Sequence, residues 1–436
     1  MLATPTPAHP RSLPRWAALA VGLTLAACEA DVADACADKT KGTMCDFMGS
    51  LGKSGLGKDG VTPLQGRLYW PQDLAFGPDG LPYVLDWNNH RVRRVNAAGR
   101  IETVIGIGEL GDAPDGPALE TRLNHPTHIS FSPIGDLVLS AWHNSKVAKV
   151  SLSAGTIKSI CGTGGRSYAG DGGPADKAVL DLPVAAVFDS LGRLIIADQA
   201  NQRLRRIEAD GTIHTIFGPG PEWVHDSQAK VCALDANGAN VCKFCAKDAA
   251  ADPACKGEPA KRPSGFAGDG GVGKDARMFT YFGQEAGPAG RIDIDADDAI
   301  YLADSGNHRI RKMTKDSKVS TFAGSGPATY DATYDGGLSG DGGPANAAKL
   351  RSPRDVAVGK DGTVFIADTG NHCVRRVKPD GVIDTVAGIC GKAGRDAAGG
   401  PAAATRLDRP YGVAVGPDGN LYIADTYNFV FRVVYL

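Results

Sequence analysis

Short stretches in which apolar and polar positions alternate recur along this chain in groups of four, the period-two pattern of half-buried β-strands. Each group has the same order. A proline opens an apolar strand a, a Gly/Asp turn leads to strand b, a polar loop containing asparagine leads to a basic and apolar strand c, and strand d ends in glycine. The groups begin at Pro71, Pro126, Pro183, Pro288, Pro353 and Pro410. Their turns read GPDG from Gly77, SPIG from Ser132, DSLG from Asp189, DADD from Asp295, GKDG from Gly359 and GPDG from Gly416. Strand b ends at Asp86, Asp198, Asp304, Asp368 and Asp425, with Ala141 the exception in the second group. Loop and third strand read NHRVRRV from Asn89, NSKVAKV from Asn144, NQRLRRI from Asn201, NHRIRKM from Asn307, NHCVRRV from Asn371 and NFVFRVV from Asn428. Four short strands per unit and a period of about 56 residues predict an all-β, six-bladed β-propeller. One such sheet cannot bury both of its faces, so the blades pack around an axis.

These units resemble NHL repeats, the family named for its Asn-His loop. That dipeptide stands at Asn89-His90, Asn307-His308 and Asn371-His372, and the run around Asp304 is close to the family consensus. The linkers carry GDGGPA at Gly170 to Ala175 and Gly340 to Ala345, with weaker copies at Pro114 to Ala118 and Gly268 to Gly273. They are similar to linkers of bacterial NHL proteins and of the teneurin NHL propeller. The Gly-His/Trp-Asp and Gly-Gly signatures of WD40 and kelch blades are absent.

The sixth group stops after its third strand, at Leu436. Thr43 to Gly49, TMCDFMG, aligns with the fourth strand VIDTVAG from Val382, so the N-terminal segment is expected to supply the missing strand and close the ring. Residues 42–436 are thus read as the propeller.

Ahead of it, Arg11 and Arg15 precede an apolar run from Trp16 to Ala27, which has the length of a signal h-region and is too short to span a bilayer. The sequence Leu25-Ala26-Ala27-Cys28 resembles a bacterial lipobox; a plain secretory signal is the alternative. The lipobox implies a signal peptide over 1–27, lipidation at Cys28, a tether over 28–41 and an outer-membrane or cell-surface location. Membrane attachment then runs through the lipid alone.

Composition narrows the partners. The net charge is −2 at pH 7, and the leader's two arginines make the mature chain more acidic still, so nucleic acid is not an expected partner. The third strands carry one basic column at Arg93, Arg205, Arg311, Arg375 and Arg432 and another at Arg94, Lys149, Arg206, Lys312 and Arg376. With an aspartate ending strand b, these read as ion pairs that repeat from blade to blade.

Ten cysteines in an exported chain predict disulfides. Cys373 and Cys390 fall at one end of the fifth sheet and Cys36 and Cys45 beside the closing strand, so both are candidate pairs; Cys161 is left as the free thiol. Cys232, Cys242, Cys245 and Cys255 lie in an insert over 221–262, where disulfides and zinc ligation both fit the spacing.

Aligning the innermost strands puts Asp73, His128, Ala185, Arg291, Asp355 and Gly412 at one level of the ring. Asp73 is expected to face Arg291, and His128 to face Asp355, across a channel mouth flanked by His125, Arg354 and Tyr411. This polar ring is a candidate ligand site. Propellers resembling amidating lyases and gluconolactonases hold a divalent metal at such a mouth, although no complete ligand set is recognisable here; a hydrated lining is the other reading. No nucleophile elbow, phosphate loop, HExxH or haem motif is present. The favoured expectation is a monomeric, cofactor-free lipoprotein whose propeller binds a protein or glycan through its b–c loops, linkers and insert. The alternatives are a metal-dependent hydrolase or lyase, and a structural spacer.

Overall fold

The structure is a computed structural model that describes residues 36, 39–218, 224–225, 230–234, 240–244, 265–280, 287–329, 331 and 333–436. Six antiparallel sheets form the blades of a six-bladed propeller, each with strand a innermost. Blade 1 comprises Asp73–Phe76, Pro82–Asp86, Arg91–Val95 and Ile101–Ile105, and blade 2 His128–Phe131, Leu137–Ala141, Lys146–Ser151 and Thr156–Cys161. Blade 3 comprises Pro183–Phe188, Leu194–Asp198, Arg203–Ile207 and Ile213–Phe217, and blade 4 Ile292–Ile294, Ile300–Asp304, Arg309–Met313 and Val319–Ala323. Blade 5 is built from Asp355–Val358, Val364–Asp368, Cys373–Val377 and Ile383–Ala387. Blade 6 takes Pro410–Val415, Leu421–Asp425 and Val430–Val434 from the C-terminus and Thr43–Met48 from the N-terminal side. That last strand pairs antiparallel with Val430–Val434, Met44 opposite Val434 and Cys45 opposite Val433, and closes the ring as the sequence pattern predicts.

Alternation decides where the core lies. Tyr83 and Leu85 of one strand point toward blade 2 while Val84 between them points toward blade 6, so each sheet contributes to two apolar layers. Six such layers result, one between each neighbouring pair of blades. The layer between blades 6 and 1 contains Cys45 and Met48, and without the N-terminal strand its side chains would be exposed to water.

The repeated polar residues tie this frame together. Asp86, Asp198, Asp304, Asp368 and Asp425 are fully buried; each accepts an N–H from the approach to its own blade and the side-chain amide of the asparagine three residues on. The same asparagines reach carbonyls of the preceding linker, as Asn371 does to Gly337 at 2.7 Å. Behind each aspartate lies the buried arginine of the first basic column; Arg432 approaches Asp425 to 2.9 Å and Arg311 approaches Asp304 to 3.3 Å. Burial pushes Asp86, Asp198 and Asp425 up to about 6 and Asp368 up to about 7, against the pull of these donors.

The histidine of the loop also has a structural task. His90, His308 and His372 stand in left-handed conformation, and each Nδ1 accepts the N–H of a residue just before the next blade's proline: His125 at 3.2 Å, Ser352 at 2.9 Å and Arg409 at 3.2 Å. Those three acceptor-bound residues are left-handed as well, an uncommon conformation for side-chain-bearing residues. In blade 3 Gln202 replaces the histidine and binds Thr280 N–H at 2.8 Å. The family signature is therefore a clamp from one blade to the next.

The linkers belong to the frame too. Asp59, Asp171 and Asp269 accept from Arg93, Arg205 and Arg311 at 2.7–2.9 Å, and Asp341 accepts from Arg375. The same carboxylates bind the strand-d threonines Thr103, Thr215, Thr321 and Thr385. The GDGGPA motif delivers an anion to the basic column.

Candidate functional site

The inward register brings Asp73, His128, Arg291 and Asp355 together on the axis, but not around an open mouth. Arg291 is 1% exposed. From blade 4 its guanidinium donates to Gln72 O at 2.8 Å, Thr127 O at 2.6 Å and Tyr411 O at 3.5 Å, and lies 3.3 Å from Asp355 and 3.8 Å from Asp73. Those partners belong to blades 1, 2, 5 and 6, so one side chain ties five blades. A planar cation with five donors suits such a hub because it meets carbonyls and carboxylates from several directions at once.

The two carboxylates reach onward to their neighbours: Asp73 accepts Ile129 N–H at 2.8 Å and Asp355 accepts Val413 N–H at 3.0 Å. Desolvation raises both above the ordinary carboxylate range, opposed by the Arg291 charge. His128 does not meet Asp355 directly; its Nδ1 is approached by the Ala186 N–H of blade 3 at 3.5 Å. Burial, with Arg291 adding to it, holds the imidazole down to about 3, so it is neutral. Arg291 thus sits at the centre of a buried hub, because its side chain is long enough to reach across the axis, while Asp73, His128 and Asp355 also line a cavity on one side of it.

Above the hub, at the end carrying the a–b turns, opens a cavity of about 870 Å³ lined by Asp73, His128, Asp293, Asp355, Phe76 and Phe131 among others. Asp293 escaped the sequence reading, although it sits two residues after Arg291 and so shares its inward direction. It accepts Val358 N–H at 2.8 Å, and desolvation beside two other carboxylates pushes it up to about 7. Among the described residues no group of three or more His, Cys, Asp or Glu side chains is placed to hold a metal ion.

Tyr411 does not join this cavity. Its ring lies at the opposite end of the axis, the b–c face, 6.3 Å from Tyr427 and with the Arg354 guanidinium 5.3 Å above it. The aromatic series continues through Trp70, 5.6 Å from Tyr427, to Trp87 at 6.0 Å and on to His125 at 4.5 Å. Arg409 covers Tyr427 at 4.6 Å. Trp70, Trp87, His125, Tyr411 and Tyr427 are each half-buried, so this face presents ring surface to solvent. The signal for it was available: Trp70, His125 and Arg409 each precede a blade-opening proline, and Trp87 and Tyr427 each lie within the loop after strand b.

Disulfides join Cys36 to Cys45 and Cys373 to Cys390, and Cys161 is a buried free thiol. Three short antiparallel strands occur in the insert, where Cys232 lies opposite Cys242 in register. Cys245, Cys255, Cys28 and the leader lie outside the described residues.

Comparison with known proteins places this geometry. The family described as the teneurin NHL domain matches residues 58–241 and 312–396, and an NHL repeat matches 407–429. Teneurin-1 of Mus musculus is 26% identical over 71% of this chain, and Teneurin-m of Drosophila melanogaster 25% identical over 84%. The chain spans about 12% of the length of either. Among solved structures, a protein of unknown function from Bacteroides thetaiotaomicron matches 90% of this chain and 75% of its own with TM-score 0.56 and 15% identity. An auxiliary nutrient binding protein from Bacteroides ovatus matches 90% of this chain and 76% of its own with TM-score 0.53 and 12% identity. These two likenesses concern the fold.

Proposed function

Since the chain belongs to the teneurin NHL domain family, whose repeats here build a rigid closed ring, we propose that it is an interaction platform held at the cell envelope by a lipid on Cys28. The observation that carries the reading is the b–c face, where Trp70, Trp87, Tyr411 and Tyr427 present adjoining rings beside Arg354 and Arg409. Rigid aromatic side chains lose little entropy on contact and bury large area, and guanidinium groups stacked on them add polar specificity. The clamps described above hold these side chains on ordered loops, so a protein or glycan partner meets a preformed surface. The disulfides among the described residues fit an exported protein in an oxidising compartment, and the auxiliary nutrient binding function named for one fold neighbour accords with a binding role.

The test is capture from envelope extracts and on a glycan array, with the wild type compared with Trp70→Ala and Tyr427→Ala. Loss of at least about tenfold in affinity for the captured partner is expected, since hot-spot aromatics contribute roughly 2 kcal/mol or more. Equal capture by both variants would sink the reading.

A further inference from the structure

Blade 2 holds a cluster of polar atoms at one end of the aromatic face, where His125 meets two neighbours. Asn124 Oδ1 lies 2.7 Å from His125 Nδ1 and 3.3 Å from His143 Nδ1, and the two Nδ1 atoms are 3.2 Å apart. Three atoms that all carry lone pairs thus form a closed triangle. As a hydrogen-bond network it leaves one side unmet however the protons are placed. With both imidazole protons on Nδ1, the amide oxygen can accept both, but the two N–H groups then stand only 3.2 Å apart with no acceptor between them. With the His143 proton moved to Nε2, it enters a buried position where that atom has no partner, and lone pairs face each other across the triangle. A cation at the centre meets all three. Two sides, 3.2 and 3.3 Å, are close to the roughly 3.4 Å edge expected between ligands about 2.1 Å from a tetrahedral ion, and the 2.7 Å side between His125 and Asn124 would open on binding.

The surroundings hold the triangle in place. His125 Nε2 faces Asn88 Oδ1 at 3.2 Å, the kind of outer contact that orients a ligating imidazole. The His125 N–H is fixed by His90 Nδ1, the Asn124 N–H donates to Asn144 Oδ1 at 3.0 Å, and the His143 ring stacks on Trp142 with centroids 4.1 Å apart. Asn124 and His143 also line a cavity of about 450 Å³, which gives an ion a path from solvent. We propose that Asn124, His125 and His143 form a divalent-cation site of borderline N,N,O character, suited to Zn²⁺, with coordination positions left open beside the aromatic face. The proposal is independent of what the platform binds, and it lies away from the axial hub.

The test titrates Zn²⁺ into the metal-stripped full chain by calorimetry and follows the imidazole nitrogens in long-range ¹H–¹⁵N spectra. One ion per chain is expected, with the Nδ1 signals of two histidines moving on addition. His143→Ala should weaken binding at least about tenfold. Asn124→Asp, which exchanges the amide oxygen for a charged one, should tighten it and covers the case in which the first variant fails to fold. A variant with Cys232, Cys242, Cys245 and Cys255 all changed to serine should bind as the wild type does. Binding that survives His143→Ala but vanishes in the cysteine variant, unmoved histidine signals, or no stoichiometric uptake at all would overturn the site.

Discussion

Blade 2 and blade 5 share a fold but not a polar core. Blade 5 carries the full set: Asp368 accepts Arg351 N–H and the Asn371 amide, with Arg375 3.7 Å away and reaching back to the linker's Asp341. In blade 2 the aspartate is Ala141 and the arginine column is interrupted at Ala148, both fully buried. Asn144 takes over both remaining jobs, receiving Asn124 N–H on Oδ1 and giving its amide to Gly111 O at 2.8 Å. Anion and cation are lost together, and the sheet, register and loop conformation persist. The ion pair is therefore one way to fill this position and not a condition for the blade, in keeping with the modest net contribution of buried salt bridges.

The comparison breaks most visibly if half of the pair is removed. Asp368→Ala should lower stability by about 3–5 kcal/mol, because Arg375 stays buried while Arg351 N–H and the Asn371 amide lose their acceptor. Adding Arg375→Ala reproduces the blade 2 pairing and should restore a good part of that loss. Denaturant unfolding of the two variants measures both. If the double variant is as unstable as the sum of its single changes, blade 2 is not a guide to blade 5.

The sequence disclosed what repeats. Strands, turns, the six starts and the closing strand all follow from local patterns that occur several times, and TMCDFMG could be matched to a strand elsewhere in the chain. The hub was legible as a level of the ring but not as a contact, because only the length of the Arg291 side chain decides that it crosses the axis. Tyr411 was read one position from that level, and a one-residue step in a strand turns a side chain elsewhere. The task of the Asn-His histidines was hidden for another reason: their partner is an N–H of a left-handed residue some 35 to 44 positions away, on which no local pattern bears.

At the level of the ring where blade 5 carries a buried carboxylate, Asp355, blade 2 carries a buried histidine, whose pH dependence has the opposite sign. His128, buried and held down to about 3, is neutral in the folded protein and gains a proton near 6.5 on unfolding. Its contribution is therefore present above pH 6.5 and is lost as pH falls toward 3. Between pH 7.5 and 5 the loss is about 2 kcal/mol. The buried aspartates near 6 and 7 take up protons in the same window and act in the opposite sense, so the informative quantity is the difference between the wild type and His128→Gln. The variant should gain about 2 kcal/mol on the wild type over that range. A difference independent of pH would mean that His128 titrates in the folded chain as it does in the unfolded one.

The smallest effect concerns the clamp, which blade 4 has and blade 2 does not. His308 is 4% exposed; its Nδ1 accepts Ser352 N–H at 2.9 Å, which puts its proton on Nε2 toward Tyr334 O at 3.0 Å. At the same place blade 2 has Ser145, whose hydroxyl is buried without a partner. His308→Ala should cost about 1–2 kcal/mol through the lost acceptor at Ser352, whereas Ser145→Ala should stay within about 0.5 kcal/mol of the wild type. Since Gln202 performs the same clamp in blade 3 through its side-chain oxygen at 2.8 Å from Thr280 N, His308→Gln should recover more than half of the alanine loss. Thermal unfolding of the three variants orders them. If glutamine is no better than alanine, the histidine acts through its bulk or its Tyr334 contact, and the hydrogen bond to the next blade is incidental.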